Sequence, residues 1–170
     1  RLNLGNLMLP PELRTGKREE FTPELKTVGF DIENKTVESN LLKFAPWKIS
    51  GILRGQMATY TVSKIGKGGK HIEVKQGRIP MAEAKCGDAD FLLYYYYGRV
   101  QEWAKGVLKP RILGDLLKEN CGIKIYMDGV RIMPYGERGN DWVELEKRKV
   151  RRYGGRVRNE TVVAFVRLSH

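Results

Sequence analysis

The densest chemistry in the chain lies between Lys147 and Arg158, in the run KRKVRRYGGRVR. Seven of its residues are basic, namely Lys147, Arg148, Lys149, Arg151, Arg152, Arg156 and Arg158, and none is acidic. Guanidinium groups fork onto phosphate oxygens, and Gly154-Gly155 would let a backbone come close. Tyr153 carries a ring that can stack on a base or cover a ribose. The plainer reading is a solvated loop ahead of the last strand; both readings stay open at this point. A second basic stretch, GKGGKH at 66–71, fails the P-loop pattern in spacing and lacks its hydroxyl. It reads as a flexible hairpin tip whose Lys67 and Lys70 can touch phosphates.

Enzyme chemistry is harder to find. There is no GxSxG elbow, and Cys86 and Cys121 have only His71 and His170 as potential partners. Those separations match no zinc pattern and place no thiol beside an imidazole, so both cysteines read as ordinary thiols of a reducing cytosol. Asp88 and Asp90 are two apart at a strand entry and would share a face. They suit a cation only with a third ligand; solvation of the strand end is the simpler expectation.

The whole chain has 170 residues and a net charge of +11, from 31 basic and 20 acidic residues. A positive field of that size favours nucleic acid, anionic membrane or phosphate-rich ligands. With 41% hydrophobic residues a core is affordable, yet no apolar run reaches the length of a bilayer span. The chain starts at Arg1 without a signal-peptide pattern, which reads as a piece of a longer cytoplasmic protein.

The elements that must position these residues follow from periodicity. Residues 1–26, rich in Pro, Gly and charge, read as a linker or ordered loop, and 27–170 as one α+β domain. Phe30–Val37 has some strand character. ISGILRGQMATYTVSKI at 49–65 carries strand signals, with Thr59, Thr61 and Ser63 alternating toward water; HIEVKQGRI returns after the basic tip. DFLLYYYY at 90–97 reads as a strand whose tyrosines split between two faces. PRILGDLLKEN at 110–120 reads as a helix, with Pro110 in the first turn, an Ile112, Leu113, Leu116, Leu117 stripe, and Gly122 beyond its end. GIKIYMDGVRIMPY follows as a hairpin turning on Asp128-Gly129. A short helix about DWVELEKRK, with Trp142 buried, and a last strand TVVAFVRL at 161–168 complete the order.

From GIKIYMDGVRIMPYGERGNDWVELEKRKV through the basic linker to NETVVAFVRLS, residues 122–169, the chain resembles a segment of the GHKL-type ATPases of bacteria and archaea. That superfamily includes gyrase, MutL, the ninety-kilodalton heat-shock chaperones and the MORC proteins. The part it resembles is the transducer, or middle, domain after the ATP-binding domain. The resemblance implies a mixed β-sheet with a crossover helix, as in a domain of a small-subunit ribosomal protein. It implies a coupling module that relays ATP state, with ATP and Mg²⁺ bound by an N-terminal domain of the same parent chain. DIENK at 31–35 is no adenine-binding DxGxG motif, so this segment alone is expected to have no catalysis. DNA is the partner that the superfamily and the basic loop suggest together, a membrane is not, and homodimerisation stays open. The rival reading is a free-standing basic nucleic-acid-binding module, and a distant third is an enzyme whose site is not legible.

Overall fold

The computed structural model describes residue 42 and residues 44–66, 70–81, 87–96, 110–128, 130–150 and 157–169. Seven strands form one mixed sheet: β1 Trp47–Arg54, β2 Met57–Ile65, β3 His71–Pro80, β4 Asp88–Tyr95, β5 Gly122–Met127, β6 Val130–Ile132 and β7 Val162–Ser169. Helix α1 spans Pro110–Asn120, helix α2 spans Leu145–Val150, and a 3₁₀ turn covers Asn159–Thr161. The strand order is β3-β2-β1-β4-β7-β5-β6. All neighbours are antiparallel except β5 and β7, which run parallel. Among the described residues the architecture is α+β, as expected, with few helices and a dominant sheet. No described helix is long and apolar enough to cross a membrane.

Most elements arise where local chemistry puts them. Asp128 takes a positive φ of 51°, and Met127 pairs with Val130 across a two-residue turn. Helix α1 covers Pro110–Asn120 and ends as Asn120 Nδ2 donates to the Leu116 carbonyl at 3.0 Å; Gly122, at φ 105°, then redirects the chain. The stretch 49–65 is not one strand. It folds back at Gly55, whose φ is 55°, so that Arg54 pairs with Met57. The β2–β3 hairpin closes as Gly66 N–H donates to the Lys70 carbonyl at 2.8 Å. Residues 1–41, with the expected linker and the Phe30–Val37 strand, lie outside the described residues, as do Lys67, Cys86, Tyr97 and His170.

The core lies on one sheet face. Leu92, Tyr94 and Tyr96 from β4 and its end, Val163 and Phe165 from β7, and Tyr126 from β5 are buried there against Leu117 of α1. The tyrosine run splits as period two requires, Tyr94 and Tyr96 inward and Tyr95 half-buried. Burying two phenols and a thiol has an electrostatic consequence: Tyr96 is pushed well above its ordinary pKa, chiefly by desolvation, and Cys121 and Tyr126 are raised for the same main reason. Lys124 is also buried on this face, its ammonium donating to the Asn120 carbonyl at the end of α1 and lying over the Phe165 ring at 5.6 Å. A cation at the carbonyl end of a helix is favourably placed. The outer strand β3 carries Lys75, Pro80 and a register shift opposite Val62–Ser63, devices that blunt an exposed edge.

Candidate nucleic-acid interface

The stretch PYGERGNDW explains itself once β6 is followed past Ile132. Strand β6 pairs with β5 only over Ile125–Met127. A peptide that is cis at Met133-Pro134 then turns the chain, and the loop takes over the exposed edge of β5. Gly136, at φ 71°, lies so close that a Cβ would stand 2.7 Å from the Ile123 carbonyl carbon and oxygen. Only glycine fits that approach. Trp142 Nε1–H donates to the Ile123 carbonyl at 2.8 Å, which satisfies an edge acceptor, and its ring meets Tyr135 edge-on at 5.3 Å. Trp142 is 39% exposed, which corrects the expectation that it is buried: it works as a donor laid along the edge, not as a core anchor.

Arg131 holds the loop from below. Its side chain is buried, with Nη2 donating to the Gly136 carbonyl at 3.2 Å and ion-paired with Glu137 at 2.5 Å. Asp141 caps α2: its carboxylate accepts the Leu145 N–H at 2.9 Å and the Glu146 N–H at 2.8 Å. Two charges of PYGERGNDW thus have structural uses, Glu137 tying loop to hairpin and Asp141 tying loop to helix.

This frame carries Lys147 and Arg158, the first and last cations of the basic run. Lys147 is exposed on α2 and bonded to Glu144 at 2.6 Å, which raises its pKa. Arg158 is exposed at the other end, where its N–H donates to the Thr161 hydroxyl at 3.0 Å. Glu146 accepts the Asn159 N–H at 3.2 Å, so the two ends of the run are pinned together. Arg148 and Lys149 lie on α2, but their side chains are outside the described residues, as are Arg151, Arg152, Tyr153 and Arg156. Lys70 is exposed at the β2–β3 tip.

The structure also brings polar side chains of β1, β2 and β3 into rows that no motif announced. Residues 47–80 contain Lys48, Arg54, Lys64, Lys67, Lys70, Lys75 and Arg78, against Glu73 as the sole acid, but the register divides them, with Arg54 and Arg78 on one sheet face and Lys64 and Lys75 on the other. On the core-bearing face, but out along the strands beyond the core, the register aligns Arg78, Thr59, Ile52, Asp90 and Arg167 in one row across five strands. Gln76, Thr61 and Ser50 form the next row. A groove of about 840 Å³ runs over these residues.

Asp90 organises the inner end of the groove. It is buried, accepts from Arg54 at 3.0 Å on one oxygen and pairs with Arg167 on the other. Asp88, half-exposed, also pairs with Arg54 at 3.5 Å. The expectation of two solvated carboxylates therefore fails for Asp90, because β7 brings a guanidinium against it from a strand 77 residues away. Among the described residues no cluster of three or more His, Cys, Asp or Glu is placed to hold a metal. Cys121 is buried and free, with its thiol donating to the Lys118 carbonyl at 3.3 Å, and His71 Nε2 lies 2.9 Å from the Ala45 carbonyl.

Comparison with protein-family models, with curated proteins and with solved structures found no match.

Proposed function

We propose that the chain is the coupling, or transducer, module of a GHKL-type ATPase, and that it relays the ATP state of an N-terminal ATP-binding domain in the same parent chain. The observation that carries this reading is the unit from β5 to β7. The residues that resemble the superfamily, 122–169, fold as a parallel strand pair whose hairpin, edge loop, helix and 3₁₀ turn are tied by Arg131, Trp142, Asp141 and Glu146. A unit braced this way can move as a body and carry a displacement at one end to the basic loop at the other. The crossover helix α1 on one face of a mixed sheet fits the ribosomal-protein-type fold that the resemblance implies. In this reading Lys147–Arg158 contacts duplex DNA phosphates, ATP and Mg²⁺ belong to the parent protein, and the module itself performs no hydrolysis.

The coding sequence ahead of Arg1 tests this at once. It should encode a helix with a Glu and an Asn for water and Mg²⁺, a DxGxG-like motif and glycine-rich lid segments. An unrelated domain there would overturn the proposal. The second reading, a free-standing nucleic-acid-binding module, draws on the net charge of +11 and the Lys147–Arg158 run. It would prevail if this chain bound nucleic acid tightly while its neighbour had no nucleotide site.

A further inference from the structure

We infer that the sheet face turned away from α1 is where a second copy of this chain docks, face to face, as a symmetric dimer. The inference holds whether or not the parent is an ATPase. Its first support is an inversion in β5. Gly122, Lys124 and Tyr126 lie on the α1 side and are buried, whereas Ile123, Ile125 and Met127, the more apolar set, lie on the other side and stay part-exposed. Strand β4 repeats the pattern: Leu92, Tyr94 and Tyr96 are buried, and Phe91, Leu93 and Tyr95 are part-exposed. Strands that are apolar on both sides are suited to being covered on both sides.

This face is broad, flat and almost uncharged. One row runs from Ile79 on β3 to Val130 on β6, across all seven strands without a charge. The next runs from Gly77 to Ile132 in the same way, with Tyr60, Phe91, Val166 and Ile125 between them. Two of its rings lie down on the sheet: a Cβ on Gly51 would stand 2.4 Å from Phe91 Cζ, and one on Gly77 would stand 2.5 Å from Tyr60 Cζ. Among the described strand residues the only charges on this face are Lys64 and Lys75, both on the β2–β3 side. Six strand spacings by about six residues of strand make roughly 600 Å² in projection. That is the upper end of what a soluble monomer leaves open, and it approaches the roughly 800 Å² per partner of a standard stable interface.

The rest of the chain is anchored on the opposite face. Leu42, at the N-terminal end of the described residues, and Tyr96 and Leu117, on either side of residues 97–109, all belong to or pack against the one core cluster under α1. Residues 82–86 and 151–156 span at most about 20 Å when fully extended, which joins their own ends but does not cover a face nearly 30 Å wide. The occupant is therefore a partner. Aromatic and aliphatic side chains without acids are the composition of an interface core, not of a surface that selects a charged ligand. A flat sheet matches another flat sheet: sheets stack about 10 Å apart, and a two-fold axis makes the patch its own complement. Strand β4 is the central strand of the seven. An axis along it lays the β2–β3 side of each copy over the β5–β6 side of the other, which keeps the lysines of the two copies apart.

The test is analytical ultracentrifugation of the full chain from about 1 to 100 μM, at about 0.1 and 0.5 M salt. The wild type should reach the mass of two copies, with a dissociation constant equal or lower at the higher salt. Two chains of net charge +11 repel, and salt screens that repulsion without weakening an apolar contact. Leu93→Lys and Ile125→Lys change side chains that are part-exposed in the single chain, so each should keep native circular dichroism and weaken association at least tenfold. Thr61→Lys adds the same charge on the α1 side of the sheet and should stay within about twofold of the wild type. A wild type that is monomeric at every concentration overturns the proposal without any variant. A dimer that comes apart as salt rises is held by ion pairs, and the proposal fails. It fails also if both lysine variants dimerise like the wild type, or if Thr61→Lys disrupts the dimer as much as they do.

Discussion

Replacing Gly136 by alanine isolates the close approach that lets the PYGERGNDW loop cover the β5 edge. Two penalties act there. At φ 71° an L side chain is strained, costing about 1–2 kcal/mol. The new Cβ would also stand 2.7 Å from the Ile123 carbonyl and 2.8 Å from Lys124 Cγ. Both are backbone or buried atoms with little room to move, and overpacking of that kind costs about 1–3 kcal/mol more. Gly139 is the internal control: its φ is 82°, but a Cβ there would meet nothing within 4 Å. Gly139→Ala should therefore lose only the conformational penalty. The gain from restricting the unfolded chain is the same for both variants and cancels in the comparison. The account predicts a loss of about 2–5 kcal/mol for Gly136→Ala and about 1–2 kcal/mol for Gly139→Ala, measured by urea denaturation with equal m-values. Equal losses, within about 0.5 kcal/mol, would show that the loop is not seated against Ile123, and the edge-cover reasoning would fall.

Four further outcomes follow from the same geometry. Trp142→Phe should cost about 1–2 kcal/mol, the worth of one hydrogen bond plus partial burial, and not the 3–5 kcal/mol of a core aromatic. Asp141→Ala should cost about 1 kcal/mol through the lost cap on α2, read from the shift of the denaturation midpoint. Stability should fall on the alkaline side. Burial raises Cys121, Tyr96 and Tyr126 in the folded state, so the unfolded chain releases those protons first and binds fewer of them. The free energy of unfolding should then decline as pH rises through about 8.5 for the thiol and 10 for the phenols; a flat profile there would contradict the burial. Changing Arg151, Arg152 and Arg156 together to alanine should flatten the duplex salt slope by roughly 0.9 per lost phosphate contact, and coincident slopes would return the loop to solvent.

What could be read from the residues alone was what depends on neighbours in sequence. The Asp128 turn, the Pro110–Asn120 helix with Gly122 beyond it, and the apolar last strand are each set by local propensity and period. The fold-back at Gly55 was not legible because RGQ is a weak turn signal inside a long β-rich run. The strand order was not legible at all, and the groove depends on it: Arg78 and Arg167 join one row only because β4 stands between β1 and β7. The burial of Asp90 was hidden for the same reason, since its second partner arrives from the far end of the chain. Trp142 was misjudged because an aromatic beside a helix start usually packs inward, whereas here the β5 edge needed a donor.

The central claim, that 122–169 moves as one coupling unit, is tested most directly by hydrogen exchange on the parent protein with and without a non-hydrolysable ATP analogue. The account predicts that amides of the β5–β6 hairpin, the Pro134–Trp142 loop and the Asn159–Thr161 turn change protection together on nucleotide binding. Exchange in that segment that is indifferent to a bound nucleotide would contradict it.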